Sequence, residues 1–163
     1  YAEVLLIYAE AVFERNGSIS DADLNKSINI IRNRVNMPAL TSALAEANGL
    51  DMRTEIRRER SIELAMEGFR YDDLRRWKTA EIELPEAIKG IDIKIPDWQK
   101  AILDGGVKNL YADQTWQSNT DEHGFIVSEK ASDRHFDPAK HYLRPIPTKE
   151  ILINPKLEQN PGW

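Results

Sequence analysis

The stretch from Asp51 to Glu67 constrains this chain more than any other. Its spacing predicts a helix, and at 100° per residue Met52, Ile56, Ile62 and Met66 fall on one side with Glu59 and Glu63 between them. A carboxylate left unpaired on a buried face is very costly, so the fold must bring cations to it. Arginine, permanently charged and able to bond bidentately, is the natural partner. Arg53, Arg57, Arg58, Arg60, Arg70, Arg75 and Arg76 lie in or just beyond the stretch, nearly cancelled by Glu55, Glu59, Glu63, Glu67, Asp72 and Asp73. The reading of Glu59 and Glu63 is structural ion pairing, and breaking a buried pair of this kind costs roughly 3–5 kcal/mol.

The chain opens inside a helical pattern, Tyr1-Ala2-Glu3-Val4-Leu5-Leu6-Ile7-Tyr8, with no capping residue before it. This reads as the C-terminal portion of a larger protein. Nearly everything from Val4 to Phe13 is apolar except Glu10, which predicts a helix covered on most sides. Asn16-Gly17 ends it. Ser20 with Asp23 starts a second helix whose stripe is Leu24, Ile28, Ile31 and Val35, and Pro38 stops it. The pair forms an αα-hairpin of about the length of a tetratricopeptide unit, expected to stack on helices outside this sequence. A shorter helix is predicted over Tyr71 to Trp77.

From about Pro85 to Gly124 the regular pattern lapses, leaving one short helix between Asp97 and Leu103. Gly124 to Val127 and Tyr142-Leu143 read as short strands of a small β-hairpin. Pro145, Pro147, Pro155 and Pro161 pin an extended tail with one helical turn near Lys149 to Leu152. The expected fold is mostly α, one domain over residues 1–163, with an irregular C-terminal region and a variable stretch at about 85–124.

Several function classes drop out. The 163 residues include no cysteine, which removes thiol nucleophiles, disulfides and cysteine zinc sites together. The net charge of −5 disfavours nucleic acid as a partner. Glycosidase carboxylates stand about 5–9.5 Å apart across an open cleft, whereas Glu59 and Glu63 flank an apolar seam. His123, His135 and His141, near Asp133 and Asp137, match no metal signature. Gly105-Gly106 is an ordinary loop break, so no cofactor is implied. The reading is therefore not an enzyme. Trp98, Tyr111 and Trp116 lie in the irregular stretch among Gln99, Asn109, Gln114, Gln117 and Asn119. Aromatic faces beside amides are what a sugar-binding surface requires, because rings stack on C–H faces while amides bond hydroxyls. The alternative, that these rings fold the loop back onto a core, stays open.

Four blocks together resemble the C-terminal part of the SusD/RagB family. They are Tyr1 to Ala11; Ile28-Asn29-Ile30-Ile31-Arg32-Asn33-Arg34 with Met37-Pro38; Ile56-Arg57-Arg58-Glu59-Arg60-Ser61-Ile62-Glu63-Leu64 running through Glu67-Gly68-Phe69-Arg70-Tyr71-Asp72-Asp73-Leu74-Arg75-Arg76-Trp77; and Tyr142-Leu143-Arg144-Pro145-Ile146-Pro147 with Gln159-Asn160-Pro161-Gly162-Trp163. The resemblance implies an α-helical SusD-like fold with tetratricopeptide-like helices. It implies a surface-exposed outer-membrane lipoprotein of Bacteroidetes, its lipid anchor outside this chain. Such a protein captures oligosaccharide or another nutrient and passes it to a SusC-like TonB-dependent transporter. On this resemblance Glu59, Glu63, Arg70, Asp73 and Arg76 belong to a signature scaffold, with ligand contact left to variable loops. The competing reading is a tetratricopeptide-like protein-interaction scaffold that binds no glycan.

Overall fold

A computed structural model of the chain describes residues 1–92 and 120–163. Among these residues there are eight α-helical segments and a single two-stranded antiparallel sheet, so the fold is mostly α. The chain divides into two compact units, Tyr1–Asp73 and Leu74–Trp163. No described helix is long and apolar enough to cross a membrane.

Unit 1 begins with α1 (Ala2–Asn16), which ends where Gly17 takes a left-handed conformation (φ 73°) and returns its N–H to the Phe13 carbonyl at 2.8 Å. Ser20 caps α2 (Asp21–Asn25): its Oγ accepts from the Asp23 amide at 3.1 Å and donates to the Asp23 carboxylate at 2.6 Å. The single helix expected from Ser20 to Pro38 is broken. A turn at Lys26-Ser27 separates α2 from α3 (Ile28–Arg34), and the buried Ser27 hydroxyl donates to the Asp23 carbonyl at 2.6 Å. A serine side chain that bonds a backbone carbonyl competes with the helical ladder and favours a break. Leu24, Ile28 and Ile31 are buried as the stripe requires, but Val35 lies past the end of α3 and is exposed.

Thr41 caps α4 (Ser42–Ala47) and Asp51 caps α5 (Met52–Glu63), each accepting the amide three residues on. The sequence reading lacked α4 and carried α5 a turn too far. α5 stops at Glu63, and Met66 sits at φ 66°, which no helix permits. Met66, expected on the buried side, lies past the helix end and is exposed, and Ile62, inside α5 but at the edge of the buried face, is exposed too; the face that packs inward is Glu55, Ile56, Glu59 and Arg60. Leu5, Leu6 and Ala9 of α1 meet Ile56 and Leu64 in one core with Ile19, Leu24, Ile28, Ile31 and Leu40. Within this chain one side of α1 is uncovered: Val4, Ile7 and Tyr8 are exposed, as is Tyr1 just before the helix. The boundary between the units falls within α6 (Arg70–Arg76).

Unit 2 contains α7 (Ala80–Glu83), also missed in the sequence, β1 (Ile88–Asp92), β2 (Phe125–Glu129) and α8 (Thr148–Ile153). The strand near Gly124 exists, but its partner is β1, inside the stretch read as irregular, and Tyr142-Leu143 forms a turn. Its core is Leu74, Ala80 and Phe136, with Trp77, Leu84 and Tyr142 packed against them. The predicted short helix between Asp97 and Leu103 lies outside the described residues.

Candidate functional site

Residues 93–119, which carry Trp98, Tyr111 and Trp116, lie outside the described residues, so the site candidates themselves have no described geometry. The structure does describe the frame on either side of them. β1 and β2 pair antiparallel with Ile88 opposite Glu129, Lys89 opposite Val127 and Asp92 opposite Phe125, and Thr120 bridges to Ile126. The irregular register lets a short strand bend. Between Thr120 and β2 the chain turns on Asp121, whose Oδ1 accepts the amides of His123, Gly124 and Phe125 at 2.9–3.0 Å. Gly124 takes φ 100°, open only to glycine at ordinary strain. The other carboxylate oxygen of Asp121 meets the Lys89 ammonium on β1 at 2.8 Å. That ammonium, with the Phe125 and His123 amides, holds the Asp121 carboxyl down to about 2, and the carboxylate in return raises Lys89 above the usual lysine value.

Elsewhere in unit 2 the tail is fastened by side-chain amides. Gln159 pairs with the backbone of Ile146 on both edges, accepting its N–H at 2.8 Å and donating to its carbonyl at 2.9 Å. Asn160 donates to the Arg144 carbonyl at 2.6 Å, and the Trp163 indole donates to the carbonyls of Lys140 and Leu143 at 3.2 and 3.1 Å. The Arg75 guanidinium caps the Tyr142 carbonyl, and the Lys78 ammonium stands 3.8 Å over the Tyr142 ring. Proline-rich backbone has few amides to donate, so side chains supply the missing bonds.

The charged residues singled out in the sequence occupy defined places. Glu59 meets Arg32 of α3 in the core of unit 1, and Asp73 meets the Arg60 Nε at 2.8 Å, also buried. Glu63 takes both its bonds from Arg34, whose side chain faces solvent. Arg70 donates to the Ser61 hydroxyl at 2.7 Å, and the Arg76 guanidinium lies 4.9 Å over the Trp77 ring. Arg60 also stacks on Phe69, 5.4 Å from the ring centre. Glu59 and Glu63 thus each face a guanidinium. Among the described residues no three His, Asp or Glu side chains converge to hold a metal ion.

The sequence reading missed the inward role of Arg32, although it follows Ile28 by four positions and shares its face. Asn29 was missed too. Its amide clasps Leu40 on both edges, donating to the carbonyl at 2.9 Å and accepting the N–H at 2.7 Å. The Asp121 turn carried a readable signal, an Asp three residues before a Gly that opens an apolar run.

The arrangement can be set beside known proteins. The SusD family profile matches residues 1–163, the entire chain. The chain belongs to the SusD family. A SusD-like carbohydrate binding protein from Bacteroides fragilis superposes with a TM-score of 0.69 at 34% identity, over 97% of this chain and 28% of that one. A second SusD-like protein from the same organism gives a TM-score of 0.63 at 29% identity, over 100% of this chain and 25% of that one. The SusD-family chain described here thus spans only about a quarter of the length of these two relatives. No curated protein matches it.

Proposed function

We propose that this chain is part of a glycan-binding component of an outer-membrane nutrient uptake system. It captures oligosaccharide at the cell surface and passes it to a SusC-like TonB-dependent transporter, without enzymatic activity of its own. One observation carries this reading: 34% identity over 97% of the chain to a protein described as carbohydrate binding. The ligand surface proposed within this chain is Trp98, Tyr111 and Trp116, where ring faces stack on sugar C–H faces and neighbouring amides bond hydroxyls. Glu59, Glu63, Arg70, Asp73 and Arg76 serve as scaffold. Membrane attachment is by a lipid anchor outside this chain.

Affinity electrophoresis of the intact protein through gels containing plant, host or microbial polysaccharides tests the proposal. Retardation by one polysaccharide, relieved by Trp98→Ala or Trp116→Ala, is the expected result. If no polysaccharide retards the protein, the glycan reading is wrong. If the substitutions leave retardation intact, these two rings do not carry the site.

A second reading, a tetratricopeptide-like scaffold that binds a protein and no glycan, draws support from the exposed apolar side of α1, formed by Tyr1, Val4, Ile7 and Tyr8. An intact protein that ignores every polysaccharide, yet loses a protein partner when Ile7 becomes Asp, would favour it.

A further inference from the structure

Two asparagines precede a glycine in this chain, Asn16-Gly17 at the end of α1 and Asn48-Gly49 at the end of α4, and all four residues are exposed. Such an asparagine is open to attack by the next backbone nitrogen, because glycine has no side chain to crowd the ring that forms. Both glycines are left-handed, at φ 73° and 62°. The sequence treats the two pairs alike; the structure does not. At Asn48 three bonds hold the reacting groups apart. The Gly49 N–H bonds the Glu46 carbonyl at 3.1 Å, the Leu50 N–H bonds the Ala45 carbonyl at 2.8 Å, and the Asn48 side-chain amide donates to the Leu44 carbonyl at 2.9 Å. At Asn16 the Gly17 N–H bond to the Phe13 carbonyl, at 2.8 Å, stands alone. The Ser18 amide adds none, and the Asn16 Nδ2 has no hydrogen-bond partner among the described residues. The Asn16 Oδ1 instead accepts from the Arg15 Nε at 3.1 Å.

We propose that Asn16-Gly17 is a self-modification site of the folded protein, at which Asn16 loses its side-chain nitrogen as ammonia well before Asn48 does. The Gly17 nitrogen gives its proton to solvent and attacks the Asn16 Cγ. A bond forms between that nitrogen and Cγ, the Cγ–Nδ2 bond breaks, and ammonia leaves a cyclic imide in the main chain. Water then opens the ring at either carbonyl, and no atom is oxidised or reduced. One opening gives aspartate, the other isoaspartate. Only the Gly17–Phe13 bond must open to admit the attack, and helix ends fray far more readily than cores. Donation from Arg15 steadies the negative charge that gathers on Oδ1 as the nitrogen closes in. Asn154 and Asn160 precede prolines, whose nitrogen has no hydrogen to lose, so neither can follow this route. Isoaspartate at position 16 adds a carbon to the main chain three residues before the buried Ile19 and four before Ser20, which caps α2.

The intact protein, held in mildly alkaline buffer and sampled over time, tests this by mass spectrometry of its tryptic peptides. Asn16–Lys26 reports one pair and Val35–Arg53 the other, with fragmentation locating the change within each. In the folded protein Asn16 should convert at least about fivefold faster than Asn48, the factor that a single hydrogen bond is worth. In urea the bonds are gone from both pairs, and the two rates should converge. The proposal is overturned if Asn48 converts as fast as Asn16 in the folded protein. It is equally overturned if Asn16 stays intact in the fold while it converts in urea, or if the same preference for Asn16 persists in urea.

Discussion

The guanidinium of Arg32 on α3 bonds the carboxylate of Glu59 on α5 where the two side chains retain only 6% and 9% of their exposure. Arg32 also donates its Nε to the Pro38 carbonyl at 2.7 Å, so one arginine ties together α3, the segment that follows it and α5. Two ions withdrawn this far from water stabilise a fold only while each has the other. Glu59→Ala is expected to cost about 3–5 kcal/mol in denaturant unfolding, because it strands a buried guanidinium. The double variant Arg32→Met with Glu59→Leu should recover much of that loss, and a double variant no better than the single one would refute this account.

Glu63, one turn along, should behave differently. Its partner Arg34 is 62% exposed on the side-chain scale, so water already solvates that cation. Glu63→Ala should cost no more than about 1 kcal/mol, well below the 3–5 kcal/mol expected from the sequence for a buried pair. Comparing the melting temperatures of the Glu59 and Glu63 variants checks the difference directly.

How far the fold was legible follows from these two residues. Periodicity located the helix and put both carboxylates on a face that needs cations, and the family blocks fixed the helical class. Periodicity could not say where the helix ends. With α5 stopping at Glu63, Met66 leaves the helix, Ile62 lies beside the buried face and not on it, and the inward face is more charged than any hydrophobic pattern would suggest. The same limit hid the break at Ser27, where a side-chain bond to one carbonyl outweighs a continuous apolar stripe. The β1·β2 pairing was illegible because most of the residues between the strands follow no pattern, and strand partners distant in sequence leave no local trace. Of the proposed ligand surface, sequence offers the residue types and the structure only the frame beside them.

Asn29 offers a test of a bond that no charge assists. Its amide satisfies both backbone groups of Leu40, a residue with no exposed surface. Asn29→Ala leaves a buried N–H and a buried carbonyl without partners, at about 1–3 kcal/mol for each unsatisfied group. Asn29→Asp keeps the acceptor but sets a buried carboxylate oxygen against the Leu40 carbonyl and the Asn25 side-chain oxygen, so its loss of stability in chemical denaturation should equal or exceed that of alanine.

The hairpin has a defined acid response. The Asp121 carboxyl lies at about 2 in the fold against 3.8 for a free aspartate, so its contribution is complete above about pH 4 and fades as pH falls through 2. Lys89 is raised above 10.5, so its contribution is present below that value and is lost only as pH rises beyond it. The pair is intact across the whole neutral range. Asp121→Asn should flatten the fall in stability between pH 4 and pH 2 relative to the unmodified protein, as followed by thermal unfolding at a series of pH values. Equal slopes would contradict the assignment.

Met66 holds a left-handed backbone at φ 66° while its side chain is fully exposed and packs on nothing. The conformation costs an ordinary residue about 1–2 kcal/mol, a penalty glycine escapes. Met66→Gly is therefore expected to raise the melting temperature, an unusual outcome for a glycine substitution, partly offset by the greater freedom glycine gives the unfolded chain.

Asp92 and Thr120 are each held by the strand pairing to residues of β2, opposite Phe125 and Ile126. Phe125 and Ile126 are neighbours, so the chain leaves β1 and returns to the sheet at adjacent positions of β2. Whatever lies between these two points, the sheet closes on its own residues, through the Lys89–Asp121 pair and the turn at Gly124.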